Sequence, residues 1–107
     1  MKKVKVLIVD PFKKRIYEEE IGQDNLQEMQ EIVGGHIEAA GSFDNGDILY
    51  VNEEGLFKDK QEFFKVGEIN PDPLAGVGFV QGHDDEGAGK DATINHLDLA
   101  LKVEWGR

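Results

Sequence analysis

The densest gathering of side chains able to hold a cation or move a proton is His83-Asp84-Asp85-Glu86, followed by Gly87. One imidazole beside three carboxylates offers either oxygen ligands for a divalent ion or a general acid–base group. The spacing argues against a metal. In a calcium loop starting at Asp84, the fifth position is Ala88 where an oxygen ligand is needed, although Gly89 stands sixth. Neighbouring residues of a strand or loop point in different directions, so few of these groups converge without help from another segment. Zinc needs several imidazoles, and His36, His83 and His96 have no zinc-site spacing. The expectation is no metal and no cofactor, with His83, Asp84, Asp85 and Glu86 forming a solvated loop able to meet a partner.

A second polar group is Asn52-Glu53-Glu54-Gly55. A carboxylate from here and the His83 loop would make an acid–base pair, as in a small hydrolase or transferase using Glu53, Glu54, His83 and Asp84. Asn and Gly tolerate positive φ, so the same four residues also read as a turn, or as a contact for a ligand or partner. Other chemistries fall away. Gly76-Val77-Gly78-Phe79-Val80-Gln81-Gly82 is one residue too long for a dinucleotide fingerprint and lies within a strand pattern. No P-loop is present, and Ser42 and Thr93, the only hydroxyl residues of their kinds, lack a nucleophile-elbow context. Zero cysteines exclude disulfides, CxxC zinc sites and a cysteine nucleophile.

The elements that must position these residues follow from periodicity. Lys3 to Val9 alternates as a strand whose second face turns apolar toward its end. Pro11 stops it, and Arg15 to Ile21 returns as a second strand. Asp24 with Gln27 three residues on suggests a capping box. Leu26, Met29, Ile32 and Val33 then share a helical face, and Gly34 supplies the left-handed stop. His36–Phe43 and Asp47–Asn52 read as strands joined at Asn45-Gly46, which predicts a type I′ turn with positive φ at both residues. Leu56 to Val66 is ambiguous between a short helix and an irregular lobe, with Phe57, Phe63 and Phe64 its apolar residues. Asn70-Pro71-Asp72-Pro73 reads as a rigid connector and Gly76–Gly82 as the last strand. A closing helix over about Ala92–Lys102 would present Ile94, Leu97 and Leu101, capped by Asp91 or Thr93. The sum is one α+β domain, residues 1–107: a mainly antiparallel sheet of about five strands, with two helices covering one face.

Several landmarks resemble a known family. Val33-Gly34-Gly35-His36-Ile37-Glu38, then Leu49-Tyr50-Val51-Asn52-Glu53-Glu54-Gly55, are similar to the family catalogued as domain of unknown function 3846. Asn70, Leu74-Ala75-Gly76 and Gly82-His83-Asp84-Asp85-Glu86-Gly87 resemble its closing pattern. The likeness runs from about Val4 to Leu101, and the chain departs from it at Lys58 to Glu68, a longer connector than the family pattern. It implies a single α+β domain and an accessory role in phage or mobile-element genomes. It implies no specific activity.

Charge narrows the partner. With an apolar fraction of 39% besides 13 glycines, the chain can bury a core, yet its net charge is −10. Residues 1–15 carry six basic groups against Asp10, a net +5, so the remainder sums to −15. A hairpin that sets Lys3 and Lys5 against Glu18-Glu19-Glu20 explains the basic start better than a nucleic-acid arm. The lysine-rich opening is followed by too short an apolar run for a signal peptide, and no segment nears the roughly 18 apolar residues of a membrane span. The expected protein is therefore cytoplasmic and binds neither nucleic acid nor membrane. Its expected role is a non-catalytic module for a protein with a basic patch. The alternatives are the acid–base enzyme above and an acidic mimic of nucleic acid.

Overall fold

The computed structural model describes residues 2–57 and 61–106. In chain order the elements are β1 (Lys3–Asp10), β2 (Arg15–Gly22), α1 (Leu26–Val33), β3 (Ile37–Ser42) and β4 (Ile48–Asn52). A short 3-10 turn, Gly55–Phe57, leads on to β5 (Phe63–Val66), β6 (Asn70–Ala75), β7 (Gly78–His83) and β8 (Gly89–Lys90). The described chain closes with α2 (His96–Lys102) and β9 (Val103–Trp105).

Alternation in β1 sends Val4, Val6 and Ile8 to one face and Leu7 and Val9 to the other, and all five are at most 2% exposed. A strand buried on both faces belongs inside a sheet. β1 indeed lies between β2 and β7, in the order β2-β1-β7-β4-β3, with β8 attached to β7. All of these pairings are antiparallel. A second sheet, β6-β5-β9, lies against the face of Leu7 and Val9 and contributes Phe64, Val66 and Val103 to that core.

The α+β class stands, with more strands than the five expected. The extra ones come from segments whose residues disguise them. Asn70–Ala75 pairs at the edge of the second sheet, where Pro71 and Pro73 are tolerated, and is no mere connector. Phe63–Val66, the end of the ambiguous stretch, is a strand, its residues 58–60 lie outside those described, and Val103–Trp105 pairs with that strand directly after α2. The helices also take opposite faces instead of one. Met29 and Val33 of α1 join the Val4–Val6–Ile8 cluster, whereas Leu99 of α2 joins the Leu7–Val9 cluster.

Local chemistry explains three further shifts. The cap of α1 is Asn25, whose Oδ1 accepts from Glu28 N at 3.1 Å while Glu28 Oε1 accepts from Asn25 Nδ2 at 2.9 Å. Asp24 is diverted outward at φ 55 and accepts from Gly89 N at 2.9 Å. The β3–β4 hairpin forms, but only Gly46 takes positive φ, at 93°. Phe43 N donates to Asp47 O and Gly46 N to Phe43 O, which makes a three-residue loop closed by a glycine bulge, not a type I′ turn. α2 begins one turn later than expected, with Asn95 Oδ1 accepting from Asp98 N at 2.8 Å.

β2 is an edge strand, and its exposed edge is managed. His96 Nε2–H donates to Ile16 O at 2.6 Å, and Gly22 N donates to Glu28 Oε1 at 2.9 Å. Between those ends Glu18, Glu19 and Glu20 are exposed, which discourages a foreign strand from pairing there. Lys5 faces Glu20 and reaches Glu18 at 3.8 Å, while Lys3 faces Gly22 and not a glutamate as expected. Such a surface pair contributes at most about 1 kcal/mol.

One polar group is out of place. Gln81 on the central strand is 1% exposed, and its Oε1 has no hydrogen-bond donor among the described residues. An unmet buried acceptor costs about 1–3 kcal/mol. Gln81→Met keeps the shape and removes the acceptor, so its unfolding free energy should equal or exceed that of the parent by urea titration. A clear loss would show that Gln81 is paired in solution.

Candidate functional site

The polar groups singled out in the sequence hold turns. Asn52 is 7% exposed; its Nδ2 donates to Val33 O at 3.1 Å and its Oδ1 accepts from Glu54 N at 2.7 Å. It ties the end of α1 to the turn after β4. Gly55 passes so close to the second sheet that a Cβ would lie 2.7 Å from Ala75 O. Glu53 and Glu54 are exposed, and Glu53 Oε1 lies 3.5 Å from His36 Nδ1. At the other site Asp84 Oδ1 accepts from Glu86 N and Ala88 N, each at 2.9 Å, and so shapes its own loop. His83 Nδ1–H donates to Gly87 O at 3.2 Å, and its Nε2 accepts from Tyr50 O–H at 3.0 Å. Asp85 and Glu86 are exposed at the tip.

These two groups do not meet. β4 and β7 pair antiparallel with Ile48 beside Gln81 and Tyr50 beside Phe79. His83 therefore lies past the start of β4, and Glu53 past its end, about 23 Å away at the rise of a strand. The acid–base set of Glu53, Glu54, His83 and Asp84 is not assembled, which removes the geometric basis for the hydrolase or transferase.

A different site is built around Asp47. This carboxylate is 1% exposed at the foot of the β3–β4 hairpin. It accepts from Thr93 N at 3.0 and 2.9 Å and from Ile94 N at 2.8 Å. The segment leading into α2 is thereby held against the hairpin, and Ala92 N continues it along β1 by donating to Lys5 O at 2.9 Å. Between hairpin and helix opens a cleft of about 440 Å³. Asp44 lines one wall, Asp98, Leu101 and Lys102 another, and Glu68 of the β5–β6 turn a third.

Helical geometry decides which leucines reach this cleft. At about 100° per residue, Leu97 and Leu101 lie about 40° apart, and Leu99 lies about 160° from each. One side must be left out. Leu99 is fully buried, while Leu97 and Leu101 are 73% and 86% exposed, the most exposed large apolar residues among those described. The expected buried face of Leu97 and Leu101 is thus corrected. Of the three residues placed on it, only Ile94, which precedes the helix, is buried.

The cleft is acidic. Lys102 Nζ meets Glu68 Oε1 at 2.5 Å, leaving Asp44 and Asp98 as an excess of negative charge. The hydrogen bond to Glu68 raises the Lys102 pKa above its ordinary 10.5, and the charges of Glu68, Asp98 and Asp44 act the same way. Across the sheet, burial first and the Asp24 charge second raise Tyr50 above 10.0. No sequence motif marked this site. Its signal was Leu97-Asp98-Leu99-Ala100-Leu101, apolar at every second position on a helix that can bury only one side.

Two outcomes follow. Asp47→Ala strips the acceptor from two backbone amides and should cost about 3 kcal/mol in denaturant titration, with Asp47→Asn losing less. Lys102 and Tyr50 both hold protons longer in the native state than in the unfolded chain. Their contribution is complete below the ordinary values of 10.0 and 10.5 and declines as pH rises through the higher native ones. Thermal midpoints should therefore fall at alkaline pH, and less steeply in Tyr50→Phe.

A family model described as Domain of unknown function (DUF3846) matches residues 1–100 of the 107. No curated protein and no solved structure matches the chain. The family match takes in the larger sheet, α1, the Asp47 hairpin and the start of α2. The chain belongs to the DUF3846 family.

Proposed function

We propose that the chain is a non-catalytic protein-binding module that docks a basic, partly apolar surface of its partner in the α2 cleft. One observation carries this reading: Leu101 stands exposed in the lining of a concavity with Asp44, Glu68 and Asp98, and Leu97, one turn earlier on the same side of α2, is exposed as well. Single exposed leucines are ordinary, but an apolar pair rimmed by charge over a cleft is the form of an interaction patch. The carboxylates favour lysine or arginine on the partner, and the net −10 steers such a partner in at low salt. Asp85 and Glu86 add to that field, whereas Asp84 is occupied with its loop.

The same net charge disfavours nucleic acid. Among the described residues no helix is long and apolar enough to cross a membrane. The absence of cysteine fits a cytoplasmic setting.

Leu97→Ala with Leu101→Ala tests the reading, because both side chains are exposed and the fold should change by less than about 0.5 kcal/mol. Affinity purification from the native host, quantified against the parent chain, should show a specific protein lost with the double variant. Its recovery should also fall as salt shortens the Debye length to about 8 Å at 0.15 M. Equal recovery of every bound protein by parent and variant would remove the cleft as the docking site.

A further inference from the structure

We infer that the chain has a second site of opposite sign, a cleft lined by Lys2, Lys3 and Lys90 that binds a small oligophosphate. The cleft measures about 420 Å³, within the range of small-ligand pockets, and shares only Thr93 with the lining of the α2 cleft. The fold brings its lysines together from both ends of the chain. Lys3 sits at the start of β1, and β8 lays Lys90 opposite Gly82 on β7. Gly82 is needed for that approach, since a Cβ there would lie 2.3 Å from Asp91 O. Asp91 then fastens to β1, its Oδ1 accepting from Lys5 N at 2.8 Å.

Charge is what singles the cleft out. The chain has 22 acidic residues for 12 basic ones, so a cleft lined by more lysines than carboxylates runs against its overall charge. Ion pairs do form at Lys5, Lys65 and Lys102. Among the described residues, Lys2, Lys3 and Lys90 have no such partner, and neither do Lys13 and Lys14 of the β1–β2 turn, but Lys2, Lys3 and Lys90 line one cleft together. The lining's single carboxylate, Asp91, leaves three ammonium groups against one negative charge. A net of about two positive charges matches a phosphate chain and exceeds what one carboxylate neutralises. Ammonium groups also bind phosphate as point charges, without the planar fork an arginine would impose. Nucleic-acid polymer is a poor fit. Its extended backbone would run past Glu18, Glu19 and Glu20 on the neighbouring edge strand, against the repulsion of the whole chain.

The test titrates the full chain with inorganic triphosphate and with a nucleoside triphosphate, by calorimetry and amide chemical shifts, at about 0.15 M salt. Saturable one-to-one binding of inorganic triphosphate is expected, with shifts centred on Lys3, Lys90 and Ala92. Lys2→Ala, Lys3→Ala and Lys90→Ala together should weaken it by at least about tenfold. Lys13→Ala with Lys14→Ala, in the distant β1–β2 turn, should leave it unchanged. The shift map of the parent chain locates the site even if the triple variant folds poorly. Equal or tighter binding of the nucleoside triphosphate at the same residues supports the site and tells whether the nucleoside is also touched. No saturable binding, shifts elsewhere, an equal loss in the Lys13–Lys14 variant, or binding of the nucleoside triphosphate alone would overturn it.

Discussion

The carboxylate of Asp47 does what hydrophobic burial alone does not: it fixes the direction in which the segment carrying α2 leaves the core. Ile94 and Leu99 supply apolar area to the core, but apolar contact is non-directional. The bonds from Thr93 N and Ile94 N are directional, and they end on a charge with almost no water to share it. Their loss would strand a buried charge or two buried amides, so the arrangement is strongly specified. The hairpin must in turn present Asp47 at that spot. Asn45 Oδ1 accepts from Asp47 N at 2.9 Å, and Gly46 at φ 93 lets the loop close in three residues. The α2 cleft is the space this geometry leaves between hairpin and helix.

The second constraint is the crowding around β7. The strand lies between β1 and β4 and has Phe79 on one face and Val80 on the other, both fully buried. A side chain at Gly78 would strike Tyr50 O at 2.9 Å and the Phe64 ring at 3.1 Å. Phe64 belongs to the second sheet, so glycine here lets the two sheets share one core. Both clefts depend on this packing. One rests on α2 through Leu99, and the other on β8, which hangs from the end of β7.

The parts of the fold legible in the sequence were those set by local rules. Strict alternation exposed β1, and the strand read over Gly76–Gly82 is observed as β7, Gly78–His83. Gly34 ends α1 at φ 80, as its position after Val33 implied. What stayed hidden was set by distant contacts. Asp24 beside Asn25 offered two capping carbonyls, and only the neighbouring Gly89, far along the chain, decides that Asp24 turns away. The prolines of β6 disguised an edge strand, and three residues of β9 are too few for a period to show. The site was obscured for a related reason. Carboxylates draw attention by clustering, yet the clustered Asp84 and the turn residue Asn52 serve their own loops. The groups that line the cleft, Asp44, Glu68 and Asp98, lie on three separate segments and meet only in the fold.

Thr93 is where the two proposals touch. Its backbone N–H is held by Asp47, and the residue borders both the carboxylate cleft and the lysine cleft. A basic partner surface on one side and an oligophosphate on the other would carry opposite charges across a single residue. Attraction between them lowers the free energy of the doubly occupied state relative to either occupied alone. By linkage each must then raise the other's affinity by the same factor, weakened as salt screens the pair. The net −10 of the chain opposes the phosphate when the α2 cleft is empty, and a bound cationic partner relieves part of that opposition. The anion site would therefore be strongest when the protein partner is present, with Thr93 the residue across which the two clefts would couple.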